Sequence, residues 1–177
     1  MNPILADADI PMVILEFPAM LYALVPVILV EILVAKKLMR LEPRRSMKAI
    51  VIANLASTLL GFPLLWILLT GIELLTGGGG AYGLQSFWAR VFAVTVQAPW
   101  LIPYEEDLKW MIPVAAAYLL IPAFFVSVFL ERWICKMFWR DREKEEIRRF
   151  SWMAHFASYA VLIVIAAIYY GIILRKG

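Results

Sequence analysis

The chain has 177 residues, of which 63% are hydrophobic and 18% are charged, and its formal net charge is +3. Soluble globular domains are roughly 45–50% apolar, so a soluble fold of this size would leave much apolar surface in water. The basic residues are concentrated in two segments, a pattern typical of membrane topology and not of nucleic-acid binding. The lone cysteine, Cys135, excludes an internal disulfide.

Four apolar segments predict an all-α membrane protein in which a single integral membrane domain occupies residues 1–177. The predicted spans are residues 17–38, 48–72, 111–134 and 151–174. An uncharged apolar run of about 20 residues matches the thickness of the bilayer core. Two such runs, Ala49–Leu69 and Met111–Leu130, carry no charged residue at all. The acidic N-terminus has no basic segment and no small-residue cleavage site, so we expect no secretory signal.

The first two spans contain helix-perturbing residues. Pro18 and Pro26 predict a kink or a late start in the first span. Gly61 and Pro63 predict a bend in the second. The second span also has a stripe of small and polar residues at helical spacing, which predicts close packing and hydrogen bonds with neighbouring helices. The stripe consists of Asn54, Ser57, Thr58 and Gly61.

The segment of residues 84–102 is less apolar than the four spans and is cut by Pro99. Aromatic residues such as Trp88 and Trp100 lie within it, and these side chains favour the headgroup level of a bilayer. We therefore predict an interfacial or re-entrant helix at the outer face, on the membrane or dipping into it.

The two basic segments, Lys36–Lys48 and Trp133–Phe150, set the predicted orientation. With four spans they lie on the same side, as the excess of lysine and arginine in cytoplasmic loops requires. We therefore expect a multi-pass protein of the bacterial inner (cytoplasmic) membrane, with both termini outside the cytoplasm.

Each span contributes one polar residue at a similar depth, roughly 7–9 Å below the basic boundary at 1.5 Å of rise per residue. These four residues are Glu31, Asn54, Glu131 and His155. One interpretation is a proton relay or cation site, because ionisable groups inside membranes often mark pathways. The other is that Glu31, Asn54 and His155 hydrogen-bond to each other and hold the helices together, while Glu131 pairs with Arg132 at the interface. The second is favoured because every group lies near a helix end, where side chains can snorkel.

The fourth span adds three candidate helix-packing residues, Ser158, Ala167 and Gly171, of which the last two form a small-xxx-small pair. A metal site needs several ligands at defined spacing, but the chain has one histidine, one cysteine and no HxxxH, CxxC or ExxH motif. We expect no metal, no cofactor and no catalytic residue.

The sequence Val30-Glu31-Ile32-Leu33-Val34, the basic turn and Ala53-Asn54-Leu55 with Ser57 and Gly61 form a recognisable pattern. It resembles small uncharacterised bacterial polytopic membrane proteins and is distantly similar to the cyanobacterial filament-integrity proteins of septal junctions. The resemblance covers the first hairpin only. It implies an interaction protein in which Glu31 and Asn54 serve helix packing.

Two functions follow as hypotheses. The first is a non-catalytic integral membrane subunit or scaffold of a larger assembly, with the lipid bilayer and other proteins as its partners and without nucleic acid. The alternative is a small proton- or cation-coupled transporter or channel that uses Glu31, Asn54, Glu131 and His155. Neither hypothesis makes the protein an enzyme.

Overall fold

The computed structural model describes residues 10–76, 84–101 and 107–176. The fold is helical apart from one antiparallel pair of two-residue strands, β1 (Ile10–Pro11) and β2 (Trp100–Leu101). The helices are α1 (Met12–Met39), α2 (Pro43–Ala56), a π-helical turn (Ser57–Gly61), α3 (Phe62–Thr76), α4 (Phe87–Thr95), α5 (Leu108–Phe138) and α6 (Lys144–Lys176).

Four helical segments are long and apolar enough to cross a membrane, which confirms the prediction of a helical fold with four segments of spanning length. They are Glu16–Met39, Ser46–Leu75, Lys109–Phe138 and Lys144–Ile168. Large apolar side chains on them are exposed, among them Leu29, Leu33 and Ile163. Such a surface suits contact with lipid tails better than contact with water.

The turn after α1 is short because Arg40, which follows α1, and Pro43, which begins α2, are only three positions apart. Arg40 has a φ of 50°, the left-handed conformation that commonly ends a helix. Pro43 then opens α2 at a first-turn position, where its missing N–H costs no hydrogen bond. Helix α1 itself begins at Met12, ahead of Pro18, so of the two predicted alternatives the late start is wrong and the kink stays a prediction.

The second spanning segment is interrupted by the π-helical turn Ser57–Gly61, which ends two residues before Pro63. Proline lacks the N–H that would bond the carbonyl four residues earlier, so the regular ladder fails at this point. A wider turn is one way for a helix to absorb that failure, and such turns are frequent at functional sites. The structure thus has a π-helical turn at the position of the predicted bend, and the bend itself stays a prediction.

The chain divides into two compact units, and the prediction of a single domain stays a prediction. One unit comprises Met1–Ala19 and Phe62–Ala123. Within its described part, the indole N–H of Trp66 donates to the Pro99 carbonyl at 3.0 Å, and that of Trp100 donates to Thr70 Oγ1 at 3.1 Å. An apolar cluster that includes Met12, Ala93, Met111 and Ala115 forms its core.

Helix α4 belongs to this unit and occupies part of the segment predicted to lie at the membrane surface. Ser86 caps its N-terminus by accepting a hydrogen bond from the Ala89 N–H at 3.1 Å. The position of α4 relative to a membrane stays a prediction, and Ile102, the last residue of the predicted segment, lies outside the described residues.

The other unit comprises Met20–Gly61 and Phe124–Gly177. Its apolar core collects residues of α1, α2, α5 and α6. Small residues, Ala35, Ala53 and Ala154, are fully buried there and let the helices approach closely. Trp139, which follows α5, is also fully buried and packs edge-on against Phe150, with ring centroids 5.1 Å apart. All four residues of the predicted polar layer lie in this unit.

Candidate functional site: a buried polar cluster

Six polar side chains meet inside the second unit, and we call them the polar cluster. They are Glu31 on α1, Asn54 on α2, Ser57 in the π-helical turn, Glu131 on α5, and His155 and Ser158 on α6. Glu31 is 1% exposed, Glu131 is 4% exposed and His155 is 2% exposed. Burial this deep requires every polar atom to find a partner or to incur a desolvation cost.

Asn54 joins the two carboxylates. Its Nδ2 donates to Glu31 Oε2 at 2.7 Å and lies 3.2 Å from Glu131 Oε2. The same nitrogen is 3.1 Å from the Ile50 carbonyl oxygen. Because an amide nitrogen has two hydrogens, these three acceptors share two donors. Asn54 thus connects α1, α2 and α5 through a single side chain.

Two serine hydroxyls complete the contacts of the carboxylates. Ser57 Oγ donates to Glu131 Oε1 at 2.6 Å, a short distance typical of a charge-assisted bond. The second hydroxyl belongs to Ser158, whose Oγ donates to Glu31 Oε1 at 3.3 Å. Each carboxylate therefore has one hydroxyl partner in addition to Asn54.

Both ring nitrogens of His155 lie near a carboxylate of the cluster, and Nδ1, 3.9 Å from Glu31 Oε1, also contacts the backbone. Its Nδ1 lies 2.8 Å from the Ser151 carbonyl oxygen, and because a carbonyl only accepts, Nδ1 carries a hydrogen. Its Nε2 lies 3.5 Å from Glu131 Oε1 but makes no hydrogen bond within the described residues. The Phe124 ring edge and the Tyr159 ring pack against the imidazole and fix its plane. Nε2 is thus directed into the cluster without a hydrogen-bond partner.

The cluster is acidic. It holds two carboxyl groups and one imidazole, and neither lysine nor arginine takes part in its hydrogen bonds or ion pairs among the described side chains. One ligand atom each from Glu31, Glu131 and His155 lies within 4.8 Å of the other two. Buried charge is costly unless it is compensated, so this arrangement favours a positively charged occupant.

The structure brings together the four residues that the sequence placed in one layer, Glu31, Asn54, Glu131 and His155. Their role stays a prediction. The snorkelling argument is wrong for them, because their side chains are buried instead of reaching the boundary. The proposed pairing of Glu131 with Arg132 is also absent from the described ion pairs, since Glu131 instead contacts Asn54 and Ser57.

The predicted helix-packing residues divide into two groups. Ser57, Thr58, Gly61 and Ser158 are buried, and a Cβ placed on Gly61 would lie 3.3 Å from Leu130 Cδ2. Ala167 is exposed, so the predicted close packing at this position does not occur within the described chain. The surroundings of Gly171 lie outside the described residues.

The sequence predicted interhelical hydrogen bonds for the stripe that contains Ser57 but missed the contacts of Ser57 and Ser158 with the two carboxylates. The spacing of the two serines could have predicted these contacts. Ser57 follows Asn54 by three residues, and Ser158 follows His155 by three. Residues three apart share a helical face, so each serine is expected near the group that its neighbour contacts. A comparison of this chain with family models, curated proteins and solved structures finds no match.

Proposed function

We propose that this protein is a small cation-coupled membrane transporter or channel in which the polar cluster binds the cation. The observation that carries the proposal is the burial of Glu31 and Glu131, 1% and 4% exposed, beside an imidazole nitrogen with no hydrogen bond among the described residues. Ionisable groups inside a membrane are costly, and they typically mark ion or substrate pathways.

The deep burial of Glu31 and Glu131 bears on whether the polar layer is a cation site or a purely structural contact between helices. The contacts of Asn54 with both carboxylates fit a structural role, in which the cluster holds the helices together. With both carboxylates enclosed, a structural role would keep two acidic groups inside the bundle with His155 as the one basic side chain among the described contacts of the cluster. Neutral or apolar residues of similar size often stabilise an interior better than buried charges do. A cation that enters the cluster supplies the missing compensation.

The π-helical turn supports the same proposal. It contributes Ser57 to the cluster, and its hydroxyl contacts Glu131. Turns of this kind are often found at functional sites, where a small change of hydrogen-bond register moves a side chain. We infer that a shift of this turn changes the contacts of Glu131 during cation exchange.

Flux measurements in proteoliposomes test the proposal. Glu31→Gln keeps the size of the side chain but removes its charge, so we expect cation flux to fall by at least about tenfold, which corresponds to about 1.4 kcal/mol. The matched control is Glu143→Gln, the same change at an exposed carboxylate, and it should retain wild-type flux. Internal dyes report H⁺, Na⁺, K⁺ and divalent metal ions separately.

Gel filtration and circular dichroism establish that each variant is folded before flux is compared. Equal cation flux in the Glu31→Gln and Glu143→Gln proteins would contradict the proposal, as would the absence of any cation flux in the folded wild type.

We also propose that the four segments cross the inner membrane with both termini outside the cytoplasm and with α4 at the outer face. The placement of the basic segments supports this orientation. Two variants, Gln85→Cys and Glu143→Cys, each made in a Cys135→Ala protein, have a single cysteine. The two cysteines should react with an impermeant thiol reagent from opposite sides of sealed vesicles. Reaction of both positions from one side would refute the orientation.

A second candidate function is a non-catalytic subunit or scaffold, and the surface of α4 favours it. Phe87 and Trp88 are 70% and 75% exposed, and their rings meet edge-on at 5.4 Å. The Ser86 cap orders the helix that presents them. Aromatic residues of this kind anchor protein interfaces, so a membrane-protein partner is expected to cover them. The first-hairpin resemblance to interaction proteins also supports this candidate, and no catalytic role is proposed for the chain.

Purification in mild detergent tests the scaffold. Wild-type protein should retain stoichiometric partners, and Trp88→Ala should release them, while Phe156→Ala, at another exposed aromatic residue, should not. A chain that purifies alone as a monomer would contradict this candidate.

A further inference from the structure

The polar cluster has the composition and spacing of a metal centre. We propose that Glu31, Glu131 and His155 bind one divalent transition-metal ion of the zinc or iron(II) type. The ion would be held by one oxygen of each carboxylate and by His155 Nε2. This inference rests on the proposed function, because it names the chemical class of the cation that the cluster takes.

The spacing of the candidate ligand atoms fits such an ion. Bonds from zinc to nitrogen and oxygen are about 2.0–2.2 Å long, which separates two ligands of a tetrahedral site by about 3.4 Å. His155 Nε2 and Glu131 Oε1 are 3.5 Å apart. The ligand atoms of all three residues lie within 4.8 Å of one another. Because 4.8 Å exceeds the spacing of about 3.4 Å in a tetrahedral site, the Glu31 carboxylate moves toward the ion by rotation about its side-chain torsions.

The orientation of His155 is the independent observation that points to a ligand. Metal-binding histidines almost always donate their other ring N–H to a carbonyl or carboxylate, which fixes the tautomer and aims the free nitrogen at the metal. Here Nδ1 donates to the Ser151 carbonyl at 2.8 Å. Nε2 is buried, directed at Glu131 and without a hydrogen bond among the described residues.

The carboxylates have the outer contacts expected of metal ligands. Coordinating carboxylates are themselves hydrogen-bonded, and these partners orient them. Asn54 contacts both carboxylates, Ser57 contacts Glu131 and Ser158 contacts Glu31. The ligands and their partners come from α1, α2, the π-helical turn, α5 and α6. A spacing motif within one helix is therefore absent, which explains why the sequence predicted no metal.

The charge and ligand types select the class of ion. Ligands of a bound metal ion are deprotonated, so two carboxylates and a neutral imidazole would then carry two negative charges, which a divalent ion neutralises completely. Imidazole nitrogen suits zinc, iron, copper and nickel, whereas calcium takes six to eight oxygen ligands. Magnesium and calcium are therefore poor matches. The thiol of Cys135 belongs to the apolar core and is not one of the three candidate ligands, so a soft thiolate site is not expected.

Metal titration of the purified full-length protein tests the inference. The chain in detergent is stripped with a chelator and titrated with Co²⁺ by visible absorption and with Zn²⁺ by isothermal calorimetry. We expect about one ion per chain and at least about 100-fold weaker binding in His155→Asn, which removes a direct ligand. Ser158→Ala removes an outer contact and should weaken binding by about tenfold. Glu143→Gln, at an exposed carboxylate, should leave it unchanged.

Zinc-edge X-ray absorption of the loaded wild type needs no variant and identifies the ligands directly. Imidazole nitrogen and carboxylate oxygen without sulfur are expected. A sulfur-containing shell would overturn the inference, as would wild-type affinity in a folded His155→Asn protein. If the wild type transports H⁺, Na⁺ or K⁺ but binds neither Co²⁺ nor Zn²⁺, the metal assignment fails and the proposed function stands. If it binds Zn²⁺ through these ligands without any flux, the metal assignment stands and the transport proposal fails.

Discussion

Asn54→Leu measures how much the side chain that connects both carboxylates contributes to the stability of the fold. The substitution keeps a side chain of similar size in the buried position and removes the Nδ2 donors at 2.7 Å from Glu31 and 3.2 Å from Glu131. Glu131 retains its bond from Ser57, whereas Glu31 retains only the longer contact from Ser158. Glu31 should therefore lose more stabilisation than Glu131.

The magnitude follows from these two bonds. A hydrogen bond to a charged group contributes roughly 1.5–3 kcal/mol in soluble proteins. Interhelical bonds in membranes average about 0.6 kcal/mol and reach about 1.7 kcal/mol, because the unfolded chain in a bilayer also finds partners. If each of the two lost Asn54 bonds has the strength measured for interhelical bonds in membranes, the free energy of unfolding should fall by about 1–3 kcal/mol.

Reversible unfolding in mixed micelles, followed by tryptophan fluorescence, measures this loss. Thr58→Val is the matched control, because Thr58 is buried on the same helical stripe and makes none of the hydrogen bonds of the polar cluster. The control should change stability by less than about 1 kcal/mol. Equal effects of Asn54→Leu and Thr58→Val would refute the view that the cluster holds the helices together.

Two further predictions use the same unfolding assay. Gly61→Leu should destabilise the protein by about 1–3 kcal/mol, because the added side chain overpacks against Leu130. Gly71→Ala should stabilise it by up to about 1 kcal/mol, because no atom lies within 4 Å of the added Cβ and alanine favours the helix. A Gly61→Leu protein as stable as the wild type would contradict the close helix approach at Gly61. Trp66→Phe removes the indole donor to the Pro99 carbonyl and should cost about 1 kcal/mol; no loss would show that this bond is replaced by water.

Hydropathy predicted the long helices because a bilayer imposes a simple requirement of length and apolarity. Counting residues from the basic boundaries also placed Glu31, Asn54, Glu131 and His155 at one depth, since the rise per residue of a helix is constant. Depth does not determine rotation about the helix axis, however. Whether these side chains face each other, lipid or water depends on tertiary packing, which is why the snorkelling argument was wrong.

The same reason explains the other differences between sequence and structure. Gly61 and Pro63 indicate an irregular helix but do not determine whether it kinks or widens, and the structure adopts a π-helical turn. Ala167 matches a small-residue pattern, yet the pattern does not identify which helix packs against it, and the residue is exposed. The size of Ser57 indicates a packing role, while its contact with Glu131 depends on the position of α5.

The metal content of the purified full-length protein tests the central claim most directly. After loading with zinc and removal of free ion, elemental analysis should find about one zinc ion per chain in the wild type and in Glu143→Gln, and less than about a tenth of that in Glu31→Gln and His155→Asn. Zinc retained at the wild-type level by both cluster variants, or absent from the folded wild type, would contradict the assignment of the polar cluster as a binding site for a divalent transition-metal ion.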